Sequence, residues 1–216
     1  MRPCPHPTQL LLKSVWFPGR VKRVFRGGSA GNEQLTAIVA AALILLLAIE
    51  GATLLRITAL LTVHAFVGML LIPLVGLKLA STGWRMLRYY RRGEEYVRRG
   101  PPHVALRVFV APLTVLSTLV LFGTGVALLV VDQTHGTLVG LHKASFFVWL
   151  GATGVHVLAH VIELPSALRA RAPGLAVRVG LVGTVVAAGA LLATITLPGA
   201  DRLQDQTTAH MGLDAR

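Results

Sequence analysis

Apolar residues gather into five long runs, 35–55, 57–80, 104–131, 138–164 and 179–197, separated by short polar or basic stretches. About 20 apolar residues suffice for a helix to cross a bilayer, and each run approaches or exceeds that length. The pattern predicts an all-α integral membrane protein: a bundle of five transmembrane helices over 33–199, flanked by a basic tail, 1–32, and a C-terminal tail, 200–216. Local signals punctuate the runs. Glu50, Gly51 and Arg56 break the first from the second, and Pro165 closes the fourth. Pro73 is expected to kink the second, which a bundle tolerates when neighbours satisfy the freed carbonyl. Gly180, Gly183 and Gly189 suit the fifth to close helix contact. Trp84, Tyr89 and Tyr90 stand where an interfacial aromatic belt is expected. Residues 10–25, with Trp16 and Phe17, read equally as an interfacial segment or as disorder.

Composition sharpens this. Of 216 residues, 54% are hydrophobic and 14% charged, and the mean hydropathy is +0.66, far from a soluble domain's mix and consistent with one membrane unit in contact with lipid. A formal charge of +12 would suit nucleic acid if it formed a patch, but the basic residues sit at the ends of apolar runs, which excludes that partner and points to membrane anchoring. Of the 21 Lys and Arg, all but Arg56, Lys143, Arg202 and Arg216 lie in the N-terminal tail or in the connections that follow the second and fourth runs, counting Lys78 and Arg107 at the edges of the first of these. The positive-inside rule therefore places the N-terminus in the cytoplasm and the C-terminus outside, as in a multi-pass protein of the cell inner membrane. The single cysteine, Cys4, excludes an internal disulfide and a Cys-ligated zinc or iron–sulfur site. The N-terminus lacks the order of a secretory signal.

Histidine is costly in hydrocarbon, so the histidines of the runs are the candidates for function. His142 and His156 are 14 positions apart on the fourth run, close to four helical turns, and so share a face about 21 Å apart. That spacing suits two haem-sized sites stacked across a membrane, or one whose counterpart is lost; it equally suits two polar residues hydrogen-bonded inside a bundle. His64 on the second run lies at a depth comparable with His142, and both runs travel in the same direction, so His64 and His142 can supply the two axial ligands of one haem iron. Gly68, four positions after His64, leaves room for a porphyrin edge. Arg56 and Lys143 are placed to pair with outward propionates, or to act as ordinary anchors. At the inner level Lys78 stands 14 positions after His64, where a second ligand would be expected. A second haem would have to draw on His156, His160 and His103; interior hydrogen bonding or a quinone contact is the plainer role there.

The segment HAFVGMLLIPLVGLKLASTGWR resembles the second helix of bacterial membrane b-type cytochromes, and LHKASFFVWLGATGVHVLAH resembles their fourth. This group includes quinol-oxidising di-haem cytochromes and the membrane subunits of nickel-iron hydrogenases and formate dehydrogenases. The resemblance covers about residues 33 to 165. It implies a four-helix cytochrome b core with one haem b held by His64 and His142. It also implies a second haem on a first-helix histidine and His156, but that first-helix histidine is missing here, which favours one haem over two. The function implied is electron transfer between membrane quinone and a partner redox protein, as a subunit of an oxidoreductase rather than an independent enzyme, alone or in a homo- or hetero-oligomer. No nucleophile, paired carboxylate or phosphate loop points to other chemistry. The rival expectation is a haem-free membrane scaffold or small transporter on the same helices.

Overall fold

The computed structural model describes residues 28–92, 106–210 and 212, and among these there is no strand. The N-terminal tail to Gly27, with the segment 10–25, and the connection 93–105, with His103, lie outside the described residues. Five long helices form, each long and apolar enough to cross a membrane. Helix α1 is Gly28–Thr53 and α2 is Leu61–Tyr90. A π-helical turn, Leu106–Val110, leads into α3, Ala111–Val131. Helix α4 is Thr137–His160, α5 is a short Leu164–Arg169 segment, and α6 is Leu175–His210.

Helices α1, α2 and α6 overrun the apolar runs that predicted them, α1 at its start, α2 at its end and α6 at both. Helix α2 passes through Pro73 without interruption and carries its aromatic and basic end to Tyr90. Helix α6 passes through Pro198, so the segment from residue 200, expected as a tail, is helical to His210. Side chains three positions apart on this extension explain its order. The Thr62 N–H donates to Gln204 Oε1 at 3.2 Å, and Thr62 Oγ1 donates to Asp201 Oδ1 at 3.1 Å. Gln204 Nε2 also donates to the Thr58 carbonyl. The first N–H groups of a helix have no partner within it, and here the end of α6 supplies one to the start of α2. Ala200 and Leu203 on the same extension are buried.

Two apolar clusters hold the bundle. Val39, Leu43, Val67, Leu71, Leu74 and Val182 join α1, α2 and α6. Met69, Leu129, Ala193, Ala200 and Leu203 join α2, α3 and α6. The fifth span is thus central to both clusters, and its main partner is α2. Lipid is as apolar as leucine, so close packing replaces hydrophobic burial as the driving force between membrane helices. Of the three glycines expected at such contacts, only Gly189 makes one: a Cβ there would lie 2.5 Å from the Leu70 carbonyl oxygen, whereas Gly180 and Gly183 have nothing within 4 Å.

Helix α4 is attached differently. It packs on α3 along its length and barely touches α2. The α3–α4 turn is tight: Asp132 ends α3 in the left-handed conformation with φ 57°, and Gly136, with φ 95°, precedes α4. Polar pairs tie the hairpin, including the Trp149 indole N–H donating to Thr118 Oγ1 at 3.0 Å.

The arginine-rich end is polar inside. Asn32 Nδ2 donates to the Ser81 carbonyl at 3.1 Å and Lys78 Nζ to the Thr36 carbonyl at 3.1 Å. Arg178, expected as a marker of the basic connection, is only 3% exposed. Its guanidinium donates to Gln34 Oε1 at 2.7 Å, to the Ala172 carbonyl at 3.3 Å and to the Pro173 carbonyl at 2.7 Å. Gln34 in turn donates to the Ala170 carbonyl at 2.6 Å. A cleft of about 260 Å³ opens here between α1, α2 and α6, lined by Asn32, Trp84 and Arg178 among others; no histidine lines it.

Candidate functional site

His64 lies in the first turn of α2 and His142 in the second turn of α4. Both are half-buried, and they are close enough for a charge on one ring to act on the other. Fourteen positions along each helix, His156 and Lys78 interact in the same way. His64 with His142, and Lys78 with His156, thus mark two levels 14 positions apart on each helix.

The two imidazoles are held alike. His64 Nδ1 is 2.9 Å from Thr53 Oγ1, and His142 Nδ1 is 2.9 Å from Thr124 Oγ1. A threonine hydroxyl has one proton to give. That of Thr53 goes to the Glu50 carbonyl at 2.6 Å; that of Thr124 goes to the carbonyls of Val120, at 2.8 Å, and Leu121, at 3.0 Å. Toward each ring the hydroxyl oxygen is therefore the acceptor, and the ring nitrogen must carry the hydrogen. Inferred from this network, both histidines are Nδ1–H tautomers with a bare lone pair on Nε2. This is the state in which imidazole binds a metal, its other nitrogen oriented by a hydrogen bond.

Backbone permits the approach. A Cβ on Gly125 of α3 would lie 3.2 Å from His142 Cε1, so glycine there lets the ring lie close against the helix. Gly68, expected to offer an open face below His64, has Glu50 Oε1 3.5 Å from where its Cβ would be. Glu50 Oε1 is also 3.1 Å from His64 Nδ1. Arg56 and Lys143 are exposed at this same end of the bundle. The sequence reading missed Thr53, Thr124, Gly125 and the Glu50 contact. The one available signal was Glu50 itself, a carboxylate within an apolar run.

The inner level is built otherwise. His156 lies within electrostatic reach of the Lys78 ammonium, not of a second imidazole on α2. Its ring centroid is 5.0 Å from that of His160, and His160 Nδ1 is 3.6 Å from Glu163 Oε2. His103, the remaining candidate, lies outside the described residues.

Among the described residues, no three or more His, Cys, Asp or Glu side chains are grouped to hold a metal ion. A bare ion would need such a group, since protein sites supply three or four ligands. A haem iron brings four equatorial nitrogens of its own and asks the protein for one or two axial ligands. His64 and His142 match that number of axial ligands and fall short of the number a bare ion needs.

Comparison with known proteins adds no relative. No protein family, curated protein or solved structure matches the chain. What the chain does rests on its own residues.

Proposed function

We propose that the chain is a membrane-bound b-type cytochrome that passes electrons between the quinone pool and a partner redox protein, with one haem b on the Nε2 atoms of His64 and His142. The observation that carries this reading is the matched pair of imidazoles, each with its Nδ1 2.9 Å from a threonine hydroxyl. The electrostatic reach between His64 on α2 and His142 on α4 supports it further. When bound, haem supplies a reversible one-electron iron couple. The chain's residues bind and orient: Thr53 and Thr124 hold the ring planes and tautomers, and Arg56 and Lys143 offer positive charge to propionates at the same end. Lys78 in place of a second α2 histidine supports a single site, with His156 and His160 outside it. In the orientation that the basic residues favour, this site lies in the outer leaflet of the inner membrane.

Purified from cells with adequate haem, the full chain is expected to show a b-type reduced-minus-oxidised spectrum at about one haem per polypeptide. His64→Ala and His142→Ala should each abolish it, while His156→Ala should retain it. A chain with no Soret band would overturn the reading and leave a haem-free membrane scaffold. Loss of the spectrum in His156→Ala with retention in His142→Ala would move the site to the other level.

A further inference from the structure

The cleft at the arginine-rich end holds about 260 Å³ between α1, α2 and α6. Its floor is apolar and its rim is not. Leu35, Leu77 and Leu181 line the depth, while Trp84 and Arg178 line the mouth. From Trp84 back to Leu77 the wall of α2 descends about 10 Å along the helix axis. The oxygens that Arg178 bonds on Gln34, Ala172 and Pro173 are neutral and cancel none of its charge. Beyond the rim α2 continues with Arg85 and Arg88, each four positions after a residue of the cleft wall, Ser81 and Trp84. Side chains four apart share a helix face, and a helical side chain leans back over the turn before it. These two guanidiniums therefore overhang the mouth. At this end of the bundle the described residues also carry Arg91, Arg92, Arg169 and Arg171, against the acids Glu33 and Glu163.

We infer that this cleft is a binding site for an anionic phospholipid of the adjoining leaflet, with an acyl chain against Leu35, Leu77 and Leu181 and the phosphate at the rim beside Arg85. Basic pockets between membrane helices take anionic headgroups, and guanidinium is the side chain best matched to phosphate. Charge selects the occupant. A quinone would fill the apolar floor but bring no anion to the arginines. The N-terminal tail would bring Lys13, Arg20, Lys22, Arg23 and Arg26 to a mouth already positive. A phospholipid with a net negative head satisfies both levels at once. The inference stands apart from the haem reading, since no histidine lines the cleft.

The test is native mass spectrometry of the full chain, purified in detergent and titrated with dioleoylphosphatidylglycerol or, as the zwitterionic control, dioleoylphosphatidylcholine. The first phosphatidylglycerol is expected to bind about tenfold or more tightly than the first phosphatidylcholine, since each arginine near an anionic head adds to the attraction. Arg85→Gln should lower that preference about fivefold, the usual effect of one arginine. Arg202→Gln, the same change of charge at the opposite end, should leave it unchanged. Ala80→Phe places a ring at an exposed position of the cleft wall and should weaken phosphatidylglycerol binding without altering charge. Should one of the two cleft variants fail to fold by circular dichroism, the other decides. Equal affinity of the wild type for the two lipids overturns the proposal. So does phosphatidylglycerol binding that is unaffected in either folded cleft variant, or that falls as far in Arg202→Gln as in Arg85→Gln, the mark of lipid responding to net charge alone. The measurement does not require haem, so its failure leaves the haem reading where it stands.

Discussion

Replacing Gly189 by alanine is expected to destabilise the protein by about 1–3 kcal/mol, the usual cost of forcing a methyl group into a packed seam. The added carbon would stand 2.5 Å from the Leu70 carbonyl oxygen, and a backbone atom cannot rotate away as a side chain would. Relief requires α2 and α6 to move apart, which loosens both apolar clusters, since α2 and α6 contribute to each. Alanine at Gly180 or Gly183 has nothing within 4 Å to meet, and those variants should be neutral or slightly stabilised by helix propensity. Unfolding in mixed detergent micelles by SDS titration, followed by circular dichroism, ranks the three. A Gly189→Ala protein as stable as its two controls would show that the seam has slack.

The second large effect is expected at Arg178. Truncation to alanine removes the hydrogen bonds to Gln34 and to the Ala172 and Pro173 carbonyls, leaving those acceptors without the donor they face. Hydrogen bonds to charged groups contribute about 1.5–3 kcal/mol and unsatisfied buried partners add to the loss, so a cost of about 3 kcal/mol or more is expected. Arg178→Lys should recover little, because an ammonium on a flexible stem cannot reproduce the planar fork. Gly31 belongs to the same device: a Cβ there would run into the guanidinium, so Gly31→Ala should mimic the loss in part. The same SDS titration measures each variant. Limited proteolysis at the 168–173 connection, which Gln34 and Arg178 tie down, should accelerate in step. A stability within about 0.5 kcal/mol of wild type, the range of an ordinary surface change, would show that the clamp contributes nothing.

The five spans were legible because length and hydropathy alone decide whether a helix can cross a bilayer, and in this chain those signals are strong. The positions of His64 and His142 followed from counting turns. What stayed hidden depends on tertiary contact. Thr53 and Thr124 read as ordinary threonines in apolar helices, where the hydroxyl bonds to a carbonyl in the preceding turn; nothing in their spacing says that the oxygen also meets a ring on another helix. Arg178 read as a basic marker at a helix start, since a count of charges does not distinguish a solvated guanidinium from a buried one. The apolar pattern of the fifth run ends at residue 197, yet helices within a bundle continue through proline, and α6 runs through Pro198 to His210. The centrality of α6 was likewise invisible, because a helix apolar all round looks the same whether it faces lipid or protein.

The bond between Thr62 and Gln204 joins residues 142 positions apart, and it bears on the order in which a ribosome delivers this chain. The opening turn of α2 is made well before the glutamine that completes it, which arrives only with α6. The bundle therefore stays unlatched until α6 is made, with α2 waiting on it.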